Sequence, residues 1–335
     1  MTDPWTADSV PDQAGRTVVV TGATSGLGLS SATVLARAGA RVLMAARNAE
    51  KAARARDEVA GVATGPAPEV VALDLADLDS VRAAADDIRS RVDALDVLMN
   101  NAGVMAVPLA RTAQGFEMQL GTNHLGHFAL TGLLLPTLLA AEAPRVVTTS
   151  SGAHKPGRMR WHDLHWQRGY RRWLAYCQSK LANLLFAYEL DRRAAAAGVP
   201  LTSAAAHPGY AATHLQAVGP EASGRALSAR LMELGNTVIA QSGDDGALPQ
   251  LYAATMPDVR GGEYFGPGRL MELRGHPVRV TSTRRARDEA DAARLWSVSE
   301  RLTGVAYDWP GGVDDQPAHD PDAEVPADRS EPAGA

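Results

Sequence analysis

From Arg16 onward the chain alternates short, nearly continuous apolar runs with longer stretches in which apolar residues recur at helical spacing. The short runs are RTVVVTG, ARVLMAA, EVVALDL, ALDVLMNNAG, APRVVTTSS and VPLTSAAAHPG, with GGEYFG a brief seventh. Their β-branched content and turn-rich flanks predict strands. The longer stretches predict helices: LGLSSATVLARAGA, stopped by Gly39; NAEKAARARDEVAG; DLDSVRAAADDIRSRV, with Asp77 as its N-cap; a long helix from Thr112 to about Ala140; and WLAYCQSKLANLLFAYEL. Strands without polar alternation are buried on both faces, the habit of parallel sheets. Strands separated by helices give right-handed βαβ units. The expected architecture is α/β: a doubly wound parallel sheet of about seven strands with helices on both faces, in a single domain over residues 14–310.

Both ends depart from this pattern. Residues 1–13 lack the basic-then-apolar order of a secretory signal and read as a flexible leader. Residues 311–335, rich in Pro, Ala and acids, read as a disordered acidic tail. The longest apolar run, FALTGLLLPTLLAAEA at residues 128–143, falls short of a spanning helix and contains Pro136, so a buried helix and no membrane span are expected. The 335 residues, 45% of them hydrophobic, suffice for a sizeable core, and a net charge of −5 offers no nucleic-acid surface. A single cysteine, Cys177, excludes an internal disulfide and fits a reducing, cytoplasmic setting. Assembly into a homo-oligomer stays open.

Candidate chemistry begins after the first strand, in TGATSGLG. Gly22, Gly26 and Gly28 stand in G-x-x-x-G-x-G spacing between strand and helix. Glycine there permits a tight turn and lets backbone approach a pyrophosphate that faces the helix N-terminus. The second strand ends in MAARN, without the carboxylate that would hold a ribose 2′-hydroxyl. Arg47 stands there, suited to a 2′-phosphate, which favours NADP(H) over NAD(H). A solvated arginine at a helix start is the plainer alternative. Asp74, closing the third strand, suits either an adenine amine or the capping of a turn.

In the last of the predicted helices, Tyr176 and Lys180 lie one turn apart on one face. An ammonium beside a phenol favours the phenolate, so the pair makes a usable acid and base if it points into a cleft. Bringing a phenol from its reference pKa near 10 down to about 7 takes roughly 4 kcal/mol. Ser150 and Ser151 end the fifth strand, and alternation lets only one of them reach the same place. His124 with His127, and His162 with His165, have spacings compatible with a metal. No cysteine or convergent carboxylate completes a set, so packing and loop hydrogen bonds are expected, and no metal. Cys177 reads as a small core residue.

Taken together these motifs resemble the short-chain dehydrogenase/reductase family. TGATSGLG matches its cofactor loop, LDL its adenine contact, NNAG its fourth-strand signature, YCQSK its Tyr-x-x-x-Lys and PGYAAT its P-G-x-x-x-T. The likeness runs from about residue 15 to 304, and RVVTTSSGAHK, LAYCQSKLANLLFAYEL and LWSVSERLTG are similar to the retinol dehydrogenase and protochlorophyllide reductase-like branch. It implies a Rossmann-type fold. It places cofactor contacts on Gly22, Thr24, Ser25, Gly26, Leu27 and Gly28 of the loop, on Asp74 and Leu75, on Asn101, Ala102 and Gly103, and on Pro208, Gly209 and Thr213, beside Arg47. It assigns catalysis to Asn123, Ser151, Tyr176 and Lys180. Tyr176 is then the acid in reduction and the base in oxidation. Lys180 tunes it and holds the cofactor ribose, the second serine, Ser151, binds the substrate oxygen, and Asn123 anchors a water that extends the proton path. Asn101 braces the central strands. The family's substrate lid falls at about residues 209–235.

The expected function is an NADP(H)-dependent oxidoreductase interconverting an alcohol and a ketone or aldehyde. Leu215, Leu231, Met232 and Leu234 of the lid suggest a hydrophobic small-molecule substrate, though a lid helix needs apolar residues anyway. The rival from another class is a non-catalytic nucleotide-binding sensor or scaffold, which has little need of Ser151, Tyr176 and Lys180 together. A sugar-nucleotide epimerase on the same fold would need more room for a separate substrate domain than the C-terminal region leaves.

Overall fold

The computed structural model describes residues 4–209 and 243–310. Strands β1 (Thr17–Thr21), β2 (Arg41–Ala46), β3 (Glu69–Ala72), β4 (Val97–Asn100), β5 (Arg145–Thr149), β6 (Thr202–Ala206), β7 (Tyr264–Arg269) and β8 (Arg274–Arg279) form one sheet. Its order is β3-β2-β1-β4-β5-β6-β7-β8. All pairings are parallel except the last, where β8 runs antiparallel to β7. The chain winds outward from β1 to β3, then returns to place β4 on the other side of β1. The crevice beyond the C-terminal ends of β1 and β4 is therefore the topological switch point, where ligands bind in such sheets.

The absence of alternation in the strands has a direct explanation. Val18 and Val20, Val42 and Met44, and Val97 and Met99 enter one core, while Val19, Leu43 and Leu98 enter another on the opposite face. The first core is covered by α1 (Gly26–Arg37), α2 (Ala49–Ala60) and α7 (Gly243–Thr255). The second is covered by α3 (Leu78–Arg91), α5 (Gly126–Leu139), α6 (Arg172–Ala196) and α8 (Glu289–Thr303). Gly39 ends α1 at φ 96°, and Asp77 caps α3 by accepting from the Asp79 N–H. The apolar run carrying Pro136 is the buried helix α5. Among the described residues no helix is long and apolar enough to cross a membrane.

α8 and the residues after it close the second core over α5 and α6. Trp296 meets Phe128 at 5.1 Å between ring centroids and stacks on Phe186 at 6.0 Å. Tyr307 donates its hydroxyl to the Phe128 carbonyl at 2.8 Å. Each aromatic side chain buried this way contributes about 2–3 kcal/mol through area alone.

Three features differ from the sequence reading. Among the described residues the sheet has eight strands, one more than the seven runs read from the sequence. Gly275 and Pro277 look like strand breakers, but β8 is an edge strand, where proline is tolerated. The helix expected from Thr112 is interrupted: α4 (Met118–Leu120), capped by Glu117, gives way to a π-helical turn at Gly121–Leu125 before α5 begins. At the N-terminus, Trp5 packs edge-on against Tyr252 at 5.2 Å and donates its indole N–H to the Met256 sulfur at 3.2 Å, so residues 4–13 lie against the domain.

Candidate active site

The glycine loop leaves β1 at Gly22, with φ 69°, and Gly26 opens α1 at φ 52°. A Cβ on Gly28 would stand 2.3 Å from the Gly22 carbonyl oxygen and 2.6 Å from the Asn101 amide, so only glycine fits there. Ser25 is the N-cap of α1 but makes no side-chain cap bond, and the first turn carries no acid. The free N–H groups and positive end of that helix face the loop, an arrangement that fits a pyrophosphate.

The floor of the loop is the NNAG turn. Asn101 donates its side-chain amide to the Thr21 carbonyl at 2.7 Å, while the Asn101 and Ala102 N–H groups donate to the Thr21 hydroxyl at 2.9 and 3.0 Å. Asn101 thus ties the ends of β1 and β4 together. Arg47 leaves the end of β2 with its side chain 74% exposed and its Nη1 3.7 Å from Asp74. Asp74 caps a turn by accepting from the Ala76 N–H at 2.9 Å, and its other oxygen faces Arg47. An exposed pair of this kind is worth about 0–1 kcal/mol, so the guanidinium is readily released to another anion. Leu75 is buried beneath α5.

Tyr176 and Lys180 both face inward, at 7% and 5% exposure. The Lys180 ammonium lies 5.9 Å from the Tyr176 ring centroid and donates to the Thr149 carbonyl, the last of β5, at 3.0 Å. Asn183, one turn on, donates to the same carbonyl at 2.9 Å. Of the two serines, Ser150 donates to the Lys180 backbone carbonyl at 2.8 Å, and Ser151 stands near enough to the Tyr176 phenol to favour its charged form. Ser151 also caps a 3-10 turn at Gly152–His154, and His154 Nδ1 donates to its carbonyl at 2.7 Å.

Burial pushes the Tyr176 phenol up to about 12, the nearby Ser151 hydroxyl opposing only part of it. Burial also pulls the Lys180 ammonium down to about 8. The sequence reading expected the lysine to bring the phenol toward neutrality. In the folded chain desolvation of the phenol is the larger effect, because both groups sit out of water and the ammonium is spent on a carbonyl rather than on the phenol oxygen.

Asn123 lies in the π-helical turn. Its side chain accepts from the Val104 N–H at 2.8 Å and donates to the Val104 carbonyl and the Ser179 hydroxyl, both at 2.9 Å. Gly103 lies between Asn123 and Lys180: a Cβ there would stand 3.0 Å from Asn123 Oδ1 and 3.6 Å from the Lys180 ammonium. The Asn123 backbone carbonyl accepts from His127 Nδ1 at 3.0 Å, and the other ring nitrogen meets the Thr21 hydroxyl at 2.9 Å. Burial pulls His127 down to about 4, so the ring is neutral and joins the π turn to the floor of the glycine loop. Sequence reasoning left His127 as packing; its only signal was a polar residue in an otherwise apolar helix. His124 meets the Ser299 hydroxyl at 2.8 Å.

The segment between Ser151 and α6 packs both on itself and on neighbouring elements, Tyr170 donating to the Val107 carbonyl at 2.9 Å. Arg160 lies over the Trp166 ring at 4.0 Å, and Trp161 donates to Asp291 at 3.0 Å. Trp173 is different: it is 45% exposed and its ring stands edge-on to Tyr176 at 6.2 Å. Pro208–Gly209 follows β6 with Gly209 at φ 68°. Thr213 and the rest of the expected lid lie outside the described residues.

A glycine cradle at the switch point of a doubly wound sheet defines a Rossmann-type dinucleotide-binding domain. Residues 16–224 match the family described as short chain dehydrogenase, and the chain belongs to that family of oxidoreductases. It is retinol dehydrogenase-like: retinol dehydrogenase 14 of Mus musculus is 40% identical over 303 residues, 87% of this chain and 86% of the relative. The crystal structure of an uncharacterised protein from Mycobacterium paratuberculosis is 46% identical with a TM-score of 0.76, covering 91% of this chain and 100% of that one. A protein from Beutenbergia cavernae described as an NAD(P)-dependent gluconate 5-dehydrogenase, with bound NADP, is 29% identical with a TM-score of 0.56 over 73% of this chain and 92% of that one.

Proposed function

We propose that the protein is an NADP(H)-dependent oxidoreductase that interconverts an alcohol and a ketone or aldehyde, with Tyr176 as proton donor and acceptor. The observation that carries this reading is the inward-facing pair of Tyr176 and Lys180, with Ser151 beside the phenol and the glycine cradle alongside. When bound, the nicotinamide supplies or accepts the hydride and, in its oxidised form, a positive charge that favours phenolate. The chain supplies the proton. At neutral pH a phenol pushed up to about 12 is protonated, the form that donates to a developing alkoxide. Ser151 hydrogen-bonds the substrate oxygen and orients it toward Tyr176. Lys180 holds the ribose and, with Asn123, restores the proton from solvent.

Arg47 supports the preference for NADP(H), because its guanidinium stands at the end of β2 with only a weak partner. Arg47→Asp is expected to weaken NADPH relative to NADH by about tenfold or more, the worth of one lost charge-assisted contact. Titrating both cofactors into parent and variant reads this ratio, and an unchanged ratio removes the 2′-phosphate argument.

Trp173 gives the mouth of the site an exposed aromatic wall, which favours hydrophobic substrates. Because relatives are named for retinol, retinol and retinal belong in the test panel beside aliphatic and aromatic carbonyls and alcohols. Turnover of at least one of them with NADP(H) is expected. Tight NADPH binding with no turnover across the panel would instead establish a sensor or scaffold.

A further inference from the structure

Glu272 lies in the turn between β7 and β8, outside every motif used above. Leu270, Met271 and Glu272 are three consecutive residues with positive φ, at 49°, 54° and 65°. Such backbone is rare away from glycine and persists where the surroundings over-determine it. Leu270 and Met271 do not supply that constraint, being 61% and 90% exposed. Glu272 does. Its Oε2 accepts from Lys155 Nζ at 3.1 Å and lies 3.4 Å from His207 Nε2. The His207 imidazole 3.4 Å away, and after it Lys155, pull the carboxyl down to about 2, so it is charged at any working pH.

His207 is 2% exposed and directly precedes Pro208–Gly209. Its Nδ1 accepts from the Gly209 N–H at 3.2 Å, which leaves the ring proton on Nε2, the nitrogen nearest Glu272. The imidazole lies against Tyr264 at 5.1 Å and fills the space over Gly266, where a Cβ would stand 2.0 Å from Nε2. The turn also touches the Pro-Gly segment, since a Cβ on Gly209 would stand 2.5 Å from the Leu273 carbonyl. Lys155 closes the short turn that Ser151 opens. One carboxylate therefore joins the segment after β5 to the segment after β6.

We infer that Glu272 is a positioning residue for the reaction, acting through His207 on the Pro208–Gly209 turn and through Lys155 on the loop that carries Ser151. The inference rests on the active-site reading above, in which that turn borders the nicotinamide. The strained turn is the means by which a residue between two outer strands reaches both segments.

The test compares Glu272→Ala and Glu272→Gln in the full chain. NADPH affinity is read by quenching of tryptophan emission, and kcat and KM are read on a carbonyl that the parent turns over. Misplacement of reacting groups by a fraction of an ångström lowers kcat more than KM, so Glu272→Ala is expected to lose about tenfold or more in kcat and about fivefold in NADPH affinity. Glu272→Gln keeps an acceptor for His207 Nε2–H and is expected to recover most of both. A turn that only contributes stability would lower the melting temperature and leave kcat per folded molecule unchanged. Values within twofold of the parent for Glu272→Ala overturn the inference. If Glu272→Ala does not fold, Glu272→Gln and Lys155→Met decide: a kcat about threefold lower in the second, with the first near the parent, supports the assignment, and any other pattern overturns it. If the parent binds NADPH but turns over no carbonyl, the oxidoreductase reading fails by itself, and NADPH affinity alone then decides for or against Glu272.

Discussion

Tyr176→Phe is expected to lower turnover by about 10²–10⁴-fold, the range for removal of a positioned general acid. NADPH affinity should change little, because the ring remains and the glycine cradle lies on other elements. Stability should also hold, since the ring that fills the space remains and the neighbouring Ser151 still accepts from the Ala153 N–H. The measurement pairs steady-state reduction with a cofactor titration and a melting curve. Residual turnover within tenfold of the parent would remove Tyr176 from the chemistry. Equal losses of turnover and NADPH affinity would mean that the ring, not the proton, was needed.

Lys180→Met should abolish turnover and at the same time stabilise the cofactor-free protein. The ammonium is 5% exposed, and burial alone pulls it from 10.5 to about 8. At about 1.4 kcal/mol per unit, this is a penalty of about 3 kcal/mol at neutral pH. Methionine fills similar space without charge, and the Thr149 carbonyl keeps Asn183 as its donor. The melting temperature at pH 7 should therefore rise by several degrees. The sign of the pH dependence follows from linkage. Between about 8 and 10.5 the unfolded lysine holds a proton that the folded one has lost, so parent stability climbs with pH across that window. Below about 8 the penalty is present in full. The advantage of the variant should shrink as pH rises through the window, and a difference that stays constant with pH would discard the buried-charge account. The role proposed for the lysine at the cofactor gives that thermodynamic cost a purpose.

Much of the fold was legible because its signals are local or periodic. The first six strands announce themselves as largely apolar runs, and the structure shows why: successive residues such as Val18, Val19 and Val20 enter cores on opposite faces. The Tyr176–Lys180 spacing was equally legible, since a helix places residues four apart on one face. What escaped depended on tertiary partners. The break in the helix before α5 follows from the bonds of Asn123 to Val104 and Ser179 and from the hold of His127 on its carbonyl, and no propensity records those. β8 escaped because Gly275 and Pro277 count against a strand everywhere but at an edge. Alternation left Ser150 and Ser151 unresolved, and only the coordinates show Ser150 turned to the backbone of α6. In the cofactor-free chain burial is the largest influence on the phenol, and depth of burial is not written in residue spacing. Glu272 gave no signal, being one acid in a polar turn.

The neighbour relation of β1 and β4 has a cost during synthesis. β1 comes off the ribosome with its glycine loop, yet the strand that shields its second edge arrives some 80 residues later, beyond two further βα units. At about 5–20 residues per second this leaves an apolar strand edge bare for several seconds or more. Nascent chains stalled before Asn100 should stick to one another and to chaperones, and no shortened N-terminal half should hold a nucleotide.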